Sequence, residues 1–244
     1  MLRLLACLTL LLLPSARAAE PVTRFAFGSC CQQRKPAPIF EAINAFRPQV
    51  WIWMGDNIYG DTTDMAVMKS KYDQLRGLPA YTTLRSSSTV IGTWDDHDFG
   101  LNDMGKEYPE RAASQQCFLD FLDVPADSPR RKRKGVYASH TFGEGTKRVK
   151  VLLLDTRYHR DKPGPKGDIL GEAQWTWLER ELVGSTAAVH LLVSSIQVVA
   201  SDHRFEKWAN FPTAHKRLYA LLSRKDVPPV TILSGDRHLA EISV

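Results

Sequence analysis

One stretch of this chain limits its possible folds more than any other: Val-Trp-Ile-Trp-Met-Gly-Asp-Asn-Ile-Tyr-Gly-Asp at positions 50–61. Its first five residues are apolar without polar alternation, which predicts a strand buried on both faces of a sheet. Gly55 ends this strand, and Asp56, Tyr59 and Asp61 follow at once. Because ligands of open α/β sheets bind beyond the carboxyl ends of strands, we expect these side chains at a functional site.

The same order, an apolar strand followed by polar residues, recurs along the chain, and no interdomain linker separates the repeats. The patterns predict strands at residues 24–27, 50–54, 89–94, 136–142, 148–154, 189–193 and 230–233. They predict amphipathic helices at residues 39–46, 65–75, 112–122, 172–183 and 213–222. Residues 136–154 read as a hairpin turning at a Gly-Glu-Gly sequence.

Composition limits the chain to one large core. A chain of 244 residues, 43% hydrophobic and without low-complexity tracts, is typical of one large globular domain or of a domain with a small annex. The formal net charge of +5 mildly favours anionic partners such as phosphoesters, nucleic acid or acidic lipid. The basic run at 130–134 is interpreted as a solvated loop, so no dedicated nucleic-acid partner is expected. We expect a monomer.

The N-terminus has the pattern of a secretory signal. One positive charge precedes an apolar run at 4–13, and an Ala-x-Ala type site ends at Ala18 or Ala19. The apolar run is too short to span a bilayer, so no membrane span is expected. We therefore predict a signal peptide at 1–19, one domain at 20–244, and a secreted or periplasmic location.

Three cysteines remain after that signal: Cys30, Cys31 and Cys117. In an oxidising compartment they permit one disulfide and leave one thiol over. Cys31 either pairs with Cys117 or is a small buried residue, and the sequence leaves both readings open. A leftover thiol in such a compartment needs a reason, and metal ligation is one.

The residues after the predicted strands share metal and phosphate chemistry; they are Cys30, Asp56, Tyr59, Asp96, His97, Arg157, Asp236 and His238. Carboxylates and imidazoles suit divalent or trivalent metals, and thiolate and phenolate also suit iron. A single Gly-Asp pair is more often a turn or a helix cap. The Asp-Asp-His-Asp cluster at 95–98 is harder to explain so, because its carboxylates repel one another without a cation.

Six sequence blocks resemble, in order, the signatures of the alkaline phosphatase D family of calcineurin-like metallophosphoesterases. They are Gly-Ser-Cys at 28–30, Gly-Asp-Asn-Ile-Tyr at 55–59, Trp-Asp-Asp-His-Asp at 94–98, Leu-Asp-Thr-Arg at 154–157, the Gly…Gln…Trp-Leu pattern at 171–178, and Ser-Gly-Asp-Arg-His at 234–238. The resemblance implies a four-layer α/β/β/α sandwich and a secreted enzyme that hydrolyses phosphomonoesters and phosphodiesters with a metal-activated water. It further implies a two-metal centre containing iron (Fe³⁺) and calcium (Ca²⁺).

Matched by position, the resemblance assigns six metal ligands: Cys30, Asp56, Tyr59, Asp96, Asp236 and His238. Asp56 is the expected bridge between the two metals, and Tyr59 is expected to bind iron as a tyrosinate. His97 corresponds to the residue that contacts phosphate and protonates the leaving oxygen. Arg157 and Asn102 are further candidates for contact with phosphate or metal.

Two departures from the family pattern shape the remaining alternatives. Gly-Ser-Cys at 28–30 replaces the Asp-x-His motif that opens the wider superfamily, as it does throughout this branch. Family members also continue beyond the final block, so we expect a C-terminally truncated chain whose second sheet is incomplete. The alternatives are a phosphodiesterase or phospholipase-D-like preference, an inactive chain that binds phosphate or metal, and a basic surface-binding protein.

Overall fold

The computed structural model describes residues 21–243. Within that range the strands are β1 (Phe25–Gly28), β2 (Val50–Met54), β3 (Thr89–Thr93), β4 (Ala138–Phe142), β5 (Val149–Leu153), β6 (Val189–Ser194) and β7 (Thr231–Ser234). The α-helices are α1 (Ile39–Phe46), α2 (Met65–Arg76), α3 (Pro79–Ser87), α4 (Asp96–Phe99), α5 (Arg111–Phe121), α6 (Glu172–Leu182) and α7 (Pro212–Leu222).

The described strands form two sheets. The first has the order β1-β2-β3 and is wholly parallel, with Ile52 of the central strand between Phe27 and Ile91. The second has the order β4-β5-β6-β7, in which β4 pairs antiparallel with β5 and the other neighbours are parallel. The antiparallel pair confirms the predicted hairpin.

Three apolar clusters define four layers. Val50, Ile52 and Met54 of β2 pack between the sheets, against residues of β4, β5 and β6. Trp51 and Trp53 point the other way, into a cluster shared with α1, α2, α3 and α5. A third cluster joins the outer face of the second sheet to α6 and α7. Both faces of β2 are therefore buried, and the predicted α/β/β/α sandwich is confirmed.

Two helices were not predicted. Helix α3 carries Pro79 at its first turn and is rich in Thr and Ser, which are weak helix formers. It forms because Tyr81 and Leu84 are buried, and the Tyr81 hydroxyl accepts a hydrogen bond from Trp53 Nε1 at 2.9 Å. The short helix α4 begins inside the acidic cluster itself.

The basic run at 130–134 is partly structural. Arg130 donates to the carbonyl of Val136 at 2.9 Å, and Arg131 forms a salt bridge with Asp120 at 2.8 Å. The Arg133 guanidinium lies 3.8 Å from the ring centre of Tyr137. Three of the five cations are therefore engaged with the protein and only half-exposed, so the run is less solvated than a solvated loop implies.

Several predictions concern the chain ends and the thiols. The predicted signal peptide, 1–19, lies outside the described residues, and its separation from a domain at 20–244 stays a prediction. No helix within 21–243 is long and apolar enough to cross a bilayer.

Cys30, Cys31 and Cys117 are all free thiols within the described residues, and Cys31 and Cys117 pack against the helix cluster of the first sheet. Of the two readings left open for Cys31, this favours the small packed residue.

Candidate metal centre

The carboxyl ends of strands from both sheets meet at one edge of the sandwich, and two glycines permit the contact. A Cβ atom on Gly55 would lie 2.6 Å from Cβ of Asp95 and 2.8 Å from Cβ of Ser195. A Cβ on Gly235 would lie 2.4 Å from the carbonyl oxygen of Met54. These distances are too short for any side chain, so glycine is required for the strand ends to approach.

Three of the predicted ligands have left-handed backbone conformations. The φ angles of Cys30, Asp56 and Asp236 are 60°, 50° and 64°. Such angles are uncommon outside glycine and concentrate at functional sites, where the surrounding structure holds them. Here the Cys30 N–H donates to the Gly55 carbonyl at 3.3 Å, which ties the ends of β1 and β2 together.

Two groups of possible ligands share one carboxylate. Cys30, Asp56 and His238 form one group, and Asp56, Asp96 and His97 form the other; within each, the ligand atoms lie within 4.8 Å of one another. The Tyr59 hydroxyl is 2.9 Å from Nε2 of His238, which places it beside the first group. Asp56 thus occupies the position that a bridging ligand requires.

The carboxylates of this site fit a metal centre. Asp56 Oδ1, Asp96 Oδ1 and Asp236 Oδ2 are buried and have no hydrogen-bond partner among the described residues. Burial, followed by the charges of neighbouring acids, raises the pKa of Asp56 to about 10 and that of Asp236 to about 7. For Asp56 and Asp236, a bare buried oxygen that carries an unfavourable negative charge is satisfied by a cation.

Cys30 and Tyr59 lead to the same conclusion. Burial and the nearby Asp56 carboxylate raise the pKa of the Cys30 thiol well above its usual range. Burial, then the charges of Cys30 and Asp56, likewise raise the pKa of the Tyr59 phenol. The Cys30 Sγ atom lies 3.6 Å from Asp56 Oδ2. A thiolate or phenolate at this position requires a nearby positive charge.

Asp98 holds the acidic segment in place. Its Oδ1 accepts hydrogen bonds from the backbone N–H groups of Asp95 at 2.6 Å and Asp56 at 3.2 Å. Its Oδ2 accepts a hydrogen bond from Nδ2 of Asn57 at 2.6 Å. The sequence identified Asp98 only as a member of the acidic cluster. The structure shows that it joins the end of β2 to the start of α4.

The His97 ring forms a hydrogen bond with the carboxylate of Asp61. Its Nδ1 lies 2.6 Å from Oδ1 of Asp61, and its ring centre lies 4.3 Å from that of Tyr59. Burial alone would lower the pKa of His97, but the Asp61 hydrogen bond and the charges of nearby carboxylates outweigh it and raise the pKa. The sequence placed Asp61 shortly after β2 but gave no indication of its role.

Arg157 and Asn102 lie outside both ligand groups. Arg157 is wholly buried; its Nε lies 2.5 Å from Oδ1 of Asp95, and its Nη2 pairs with Glu206. Asn102 is exposed, next to Asp103, whose N–H donates to Asp96 Oδ2 at 2.7 Å. Contact of either side chain with phosphate or metal stays a prediction.

Comparison with known proteins gives a consistent result. The family model for PhoD-like phosphatases matches residues 25–243. Alkaline phosphatase D of Bacillus subtilis (strain 168) is 22% identical over 93% of this chain and 47% of its own length. The chain therefore spans about half the length of the curated relative that it matches.

Two solved structures share the fold. A structure of PhoD superposes with a TM-score of 0.76 at 21% identity, covering 89% of this chain and 51% of that one. A dimetal phosphatase from Danio rerio gives a TM-score of 0.54 at 14% identity, covering 83% of this chain and 78% of its own. At these identities the likeness establishes the fold alone.

Proposed function

Because this chain belongs to the PhoD-like phosphatase family, we propose that it is a metal-dependent phosphoesterase acting on phosphomonoesters, phosphodiesters or both. The observation that carries the proposal is the position of Asp56 in both ligand groups. A carboxylate shared by two metal sites is the arrangement with which two-metal hydrolases hold a phosphoryl group.

The donor set suggests how two ions are divided. Cys30, Tyr59 and His238 offer thiolate, phenolate and imidazole on one side of Asp56, a combination that suits iron. Asp96 lies in the other group and offers an oxygen ligand of the kind that calcium prefers. Asp236 lies in neither group, and its buried, unpartnered Oδ2 is a further oxygen donor for the centre. When bound, such a pair polarises phosphoryl oxygens and lowers the pKa of a coordinated water.

His97 is the proposed proton donor to the leaving oxygen. Asp61 accepts a hydrogen bond from Nδ1, which leaves Nε2 to face the reacting group. A cavity of about 780 Å³, lined in part by Cys30, Arg237 and His238, opens beside these two ligands. Asn102 and Arg157 remain candidates for phosphate contact, although the burial of Arg157 favours a role behind the carboxylates.

We further propose that the protein acts outside the cytoplasm as a monomer, with residues 20–244 forming one metallophosphoesterase domain after the signal is removed. The pattern at 1–19 supports export. N-terminal sequencing of the mature protein tests the removal of the signal. Size-exclusion chromatography of the purified chain tests the monomeric state.

The test is hydrolysis of mono- and bis-nitrophenyl phosphate at alkaline pH by the purified chain, with iron and calcium supplied, with and without chelator, beside metal analysis. We expect chelator-sensitive turnover and bound metal. Preferential cleavage of the bis-ester would select the diesterase alternative. Bound metal without turnover would select the binding alternative. Protein that neither binds metal nor turns over substrate would refute the proposal.

A further inference from the structure

Glu206 lies between two arginines in the interior, and no sequence motif pointed to it. Its Oε2 pairs with Nη2 of Arg157, and its Oε1 pairs with Nη2 of Arg160. The side chains of Arg157, Arg160 and Glu206 are only 0%, 3% and 6% exposed. A buried carboxylate that holds two arginines is costly to desolvate, and this raises the question of what the arrangement does.

Both arginines lead to the same carboxylate, Asp96. Arg157 Nη2 lies 3.8 Å from Asp96 Oδ1. Arg160 Nη1 donates to the carbonyl of Asp103 at 2.9 Å, and the Asp103 N–H donates to Asp96 Oδ2 at 2.7 Å. Glu206 therefore reaches one oxygen of Asp96 through Arg157 and the other through Arg160 and Asp103.

The segment that carries Glu206 is fixed to the opposite side of the sandwich. Trp208, two residues on, is wholly buried in the cluster of α6 and α7, and its N–H donates to the Gln197 carbonyl at 2.9 Å. Its Nε1 donates to Ser194 Oγ at 2.9 Å. Glu206 thus connects a rigid part of the second sheet's layer to the start of α4.

The charges around Arg157 show why it needs Glu206 as a partner in addition to Asp95. Arg157 already pairs with Asp95 at 2.5 Å and faces Asp96, whose Oδ1 has no hydrogen-bond partner among residues 21–243. Without an acid on its other side, the Arg157 guanidinium would move onto Asp96 Oδ1. That oxygen would then be occupied by an arginine and not by a metal.

We propose that Glu206 is a positioning residue for the metal centre: it holds Arg157 and Arg160 back, so that Asp96 is fixed through Oδ2 while Oδ1 stays available to a cation. The inference rests on the proposed function only in taking Asp96 as a metal ligand. It assigns Arg157 a supporting role behind the carboxylates.

The test uses Co²⁺ as the probe, because its visible and near-ultraviolet absorption reports coordination directly and does not depend on turnover. In Glu206→Gln we expect the Kd for Co²⁺ to rise about 10- to 100-fold, the usual effect of losing an outer-shell partner of a ligand. Glu172→Gln, which removes a comparable but exposed pair with Arg217, should leave the Kd unchanged.

A merely structural role is separated from positioning by Leu178→Ala, which creates a cavity in the α6 core, away from the ligands. It should lower Tm while leaving the Kd of the folded protein for Co²⁺ unchanged. An unchanged Kd in Glu206→Gln, or an equal rise in Leu178→Ala, would overturn the inference. If Glu206→Gln does not fold, Glu206→Asp, too short to reach both arginines, should show the same weakening, and an unchanged Kd there would equally overturn it.

The inference and the proposed function fail in different ways. A wild-type chain that binds no Co²⁺ refutes the metal centre, and a crystal structure of Glu206→Gln then decides the role of Glu206. In that structure we expect Arg157 Nη2 to move closer to Asp96 Oδ1, from 3.8 Å to hydrogen-bonding distance. An Asp96–Arg157 geometry unchanged from the wild type would show that Glu206 restrains neither residue.

Discussion

Nδ1 of His97 lies 2.6 Å from Oδ1 of Asp61, across 36 residues of chain. Asp61 directly follows Gly60, whose N–H donates to the His97 carbonyl at 2.8 Å, so backbone and side chains join the same two segments. An imidazole tied at Nδ1 has one defined tautomer and one defined ring orientation. Asp61 therefore holds the ring in one orientation and favours its protonated form, which is the form that the proposed proton donor must have.

Asp61→Asn should impair the proposed proton transfer. Because Asp61 raises the pKa of His97 through its hydrogen bond and charge, its loss lowers that pKa. The alkaline limb of kcat/KM against pH should then move to lower pH. We expect kcat at alkaline pH to fall on the order of 10-fold or more, which is less than the roughly 10²–10⁴-fold that a positioned acid contributes, because His97 itself remains.

The leaving group supplies the control for this variant. A dinitrophenyl ester has an acidic leaving group that departs without protonation, so its hydrolysis should be much less affected by Asp61→Asn. Equal losses for an alkyl phosphate, whose leaving group needs a proton, and for the dinitrophenyl ester would contradict the role of His97 as the acid. The pH profiles of both substrates decide the matter.

Asp56→Asn should abolish most activity. The amide retains the shape of the side chain but removes the charge shared by the two ligand groups. We expect kcat to fall by a factor on the order of 10² or more, as for other single electrostatic groups. Asp73→Asn, at an exposed ion pair with Lys69, is the matched control and should behave as wild type. Near-normal turnover of Asp56→Asn would remove Asp56 from the mechanism.

Tyr59→Phe should change the colour of an iron-loaded protein. If Tyr59 binds iron as a phenolate, the wild type has a phenolate-to-iron charge-transfer absorption, which the variant loses while Cys30 and Asp56 still offer ligands. Visible spectra recorded beside iron analysis measure this. Tyr219→Phe, at a partly exposed phenol, should keep the band. An unchanged spectrum in Tyr59→Phe would contradict phenolate ligation.

The metal-free protein should become less stable as pH rises. The pKa values of Asp56 and Asp236 rise from 3.8 to about 10 and about 7 on folding, so between those limits the folded state binds more protons than the unfolded state. Stability therefore falls with increasing pH, and we expect the Tm of chelator-treated protein to drop between about pH 5 and about pH 8.

Metal should reverse that trend, because bound ligands are deprotonated and metal binding releases protons. Added metal should raise Tm more at alkaline than at acidic pH. Asp56→Asn, which lacks one of the two acids on which the prediction rests, is the control and should show a weaker pH dependence without metal. A Tm of the metal-free wild type that rises toward alkaline pH would contradict the prediction.

Gly55→Ala should destabilise the fold itself. Its φ of 100° is unfavourable for alanine, and the new methyl group would meet Cβ of Asp95 at 2.6 Å. We expect a loss of about 3 kcal/mol in the free energy of unfolding, combining backbone strain and overpacking. Gly184→Ala has a φ of 67° and no neighbour within 4 Å, so urea titration of both variants isolates the steric part. Equal losses would show that the close approach does not matter.

The sequence predicted the fold well where burial is extreme. Five apolar residues at 50–54 indicated a strand covered on both faces, and the structure explains why alternation is absent there. Trp51 and Trp53 face helices, whereas Val50 and Ile52 face another sheet, so neither side of β2 permits a polar residue. The strand ends could be predicted for the same reason, since polar residues directly after such strands are conspicuous.

Long-range pairing left no comparable signal. Glu206 follows no apolar strand, and its partner Arg157 lies 49 residues earlier in the chain. The Asp61 carboxylate likewise gains its role only when His97 folds back against it. Helix α3 has a weak local helix propensity and is stabilised because Tyr81 and Leu84 are buried against the first sheet's helix cluster. Such roles depend on tertiary neighbours, which no local pattern contains.

The position of Cys30 has a consequence for how the fold closes. Its Sγ donates to the carbonyl of Asp236, 206 residues later in the chain. In the proposed loaded state, ions held there would join the beginning of the domain to the end of β7 as a cross-link does. A cross-link over so long a loop lowers the conformational entropy of the unfolded chain. The same ions would then slow the detachment of β7 from the site.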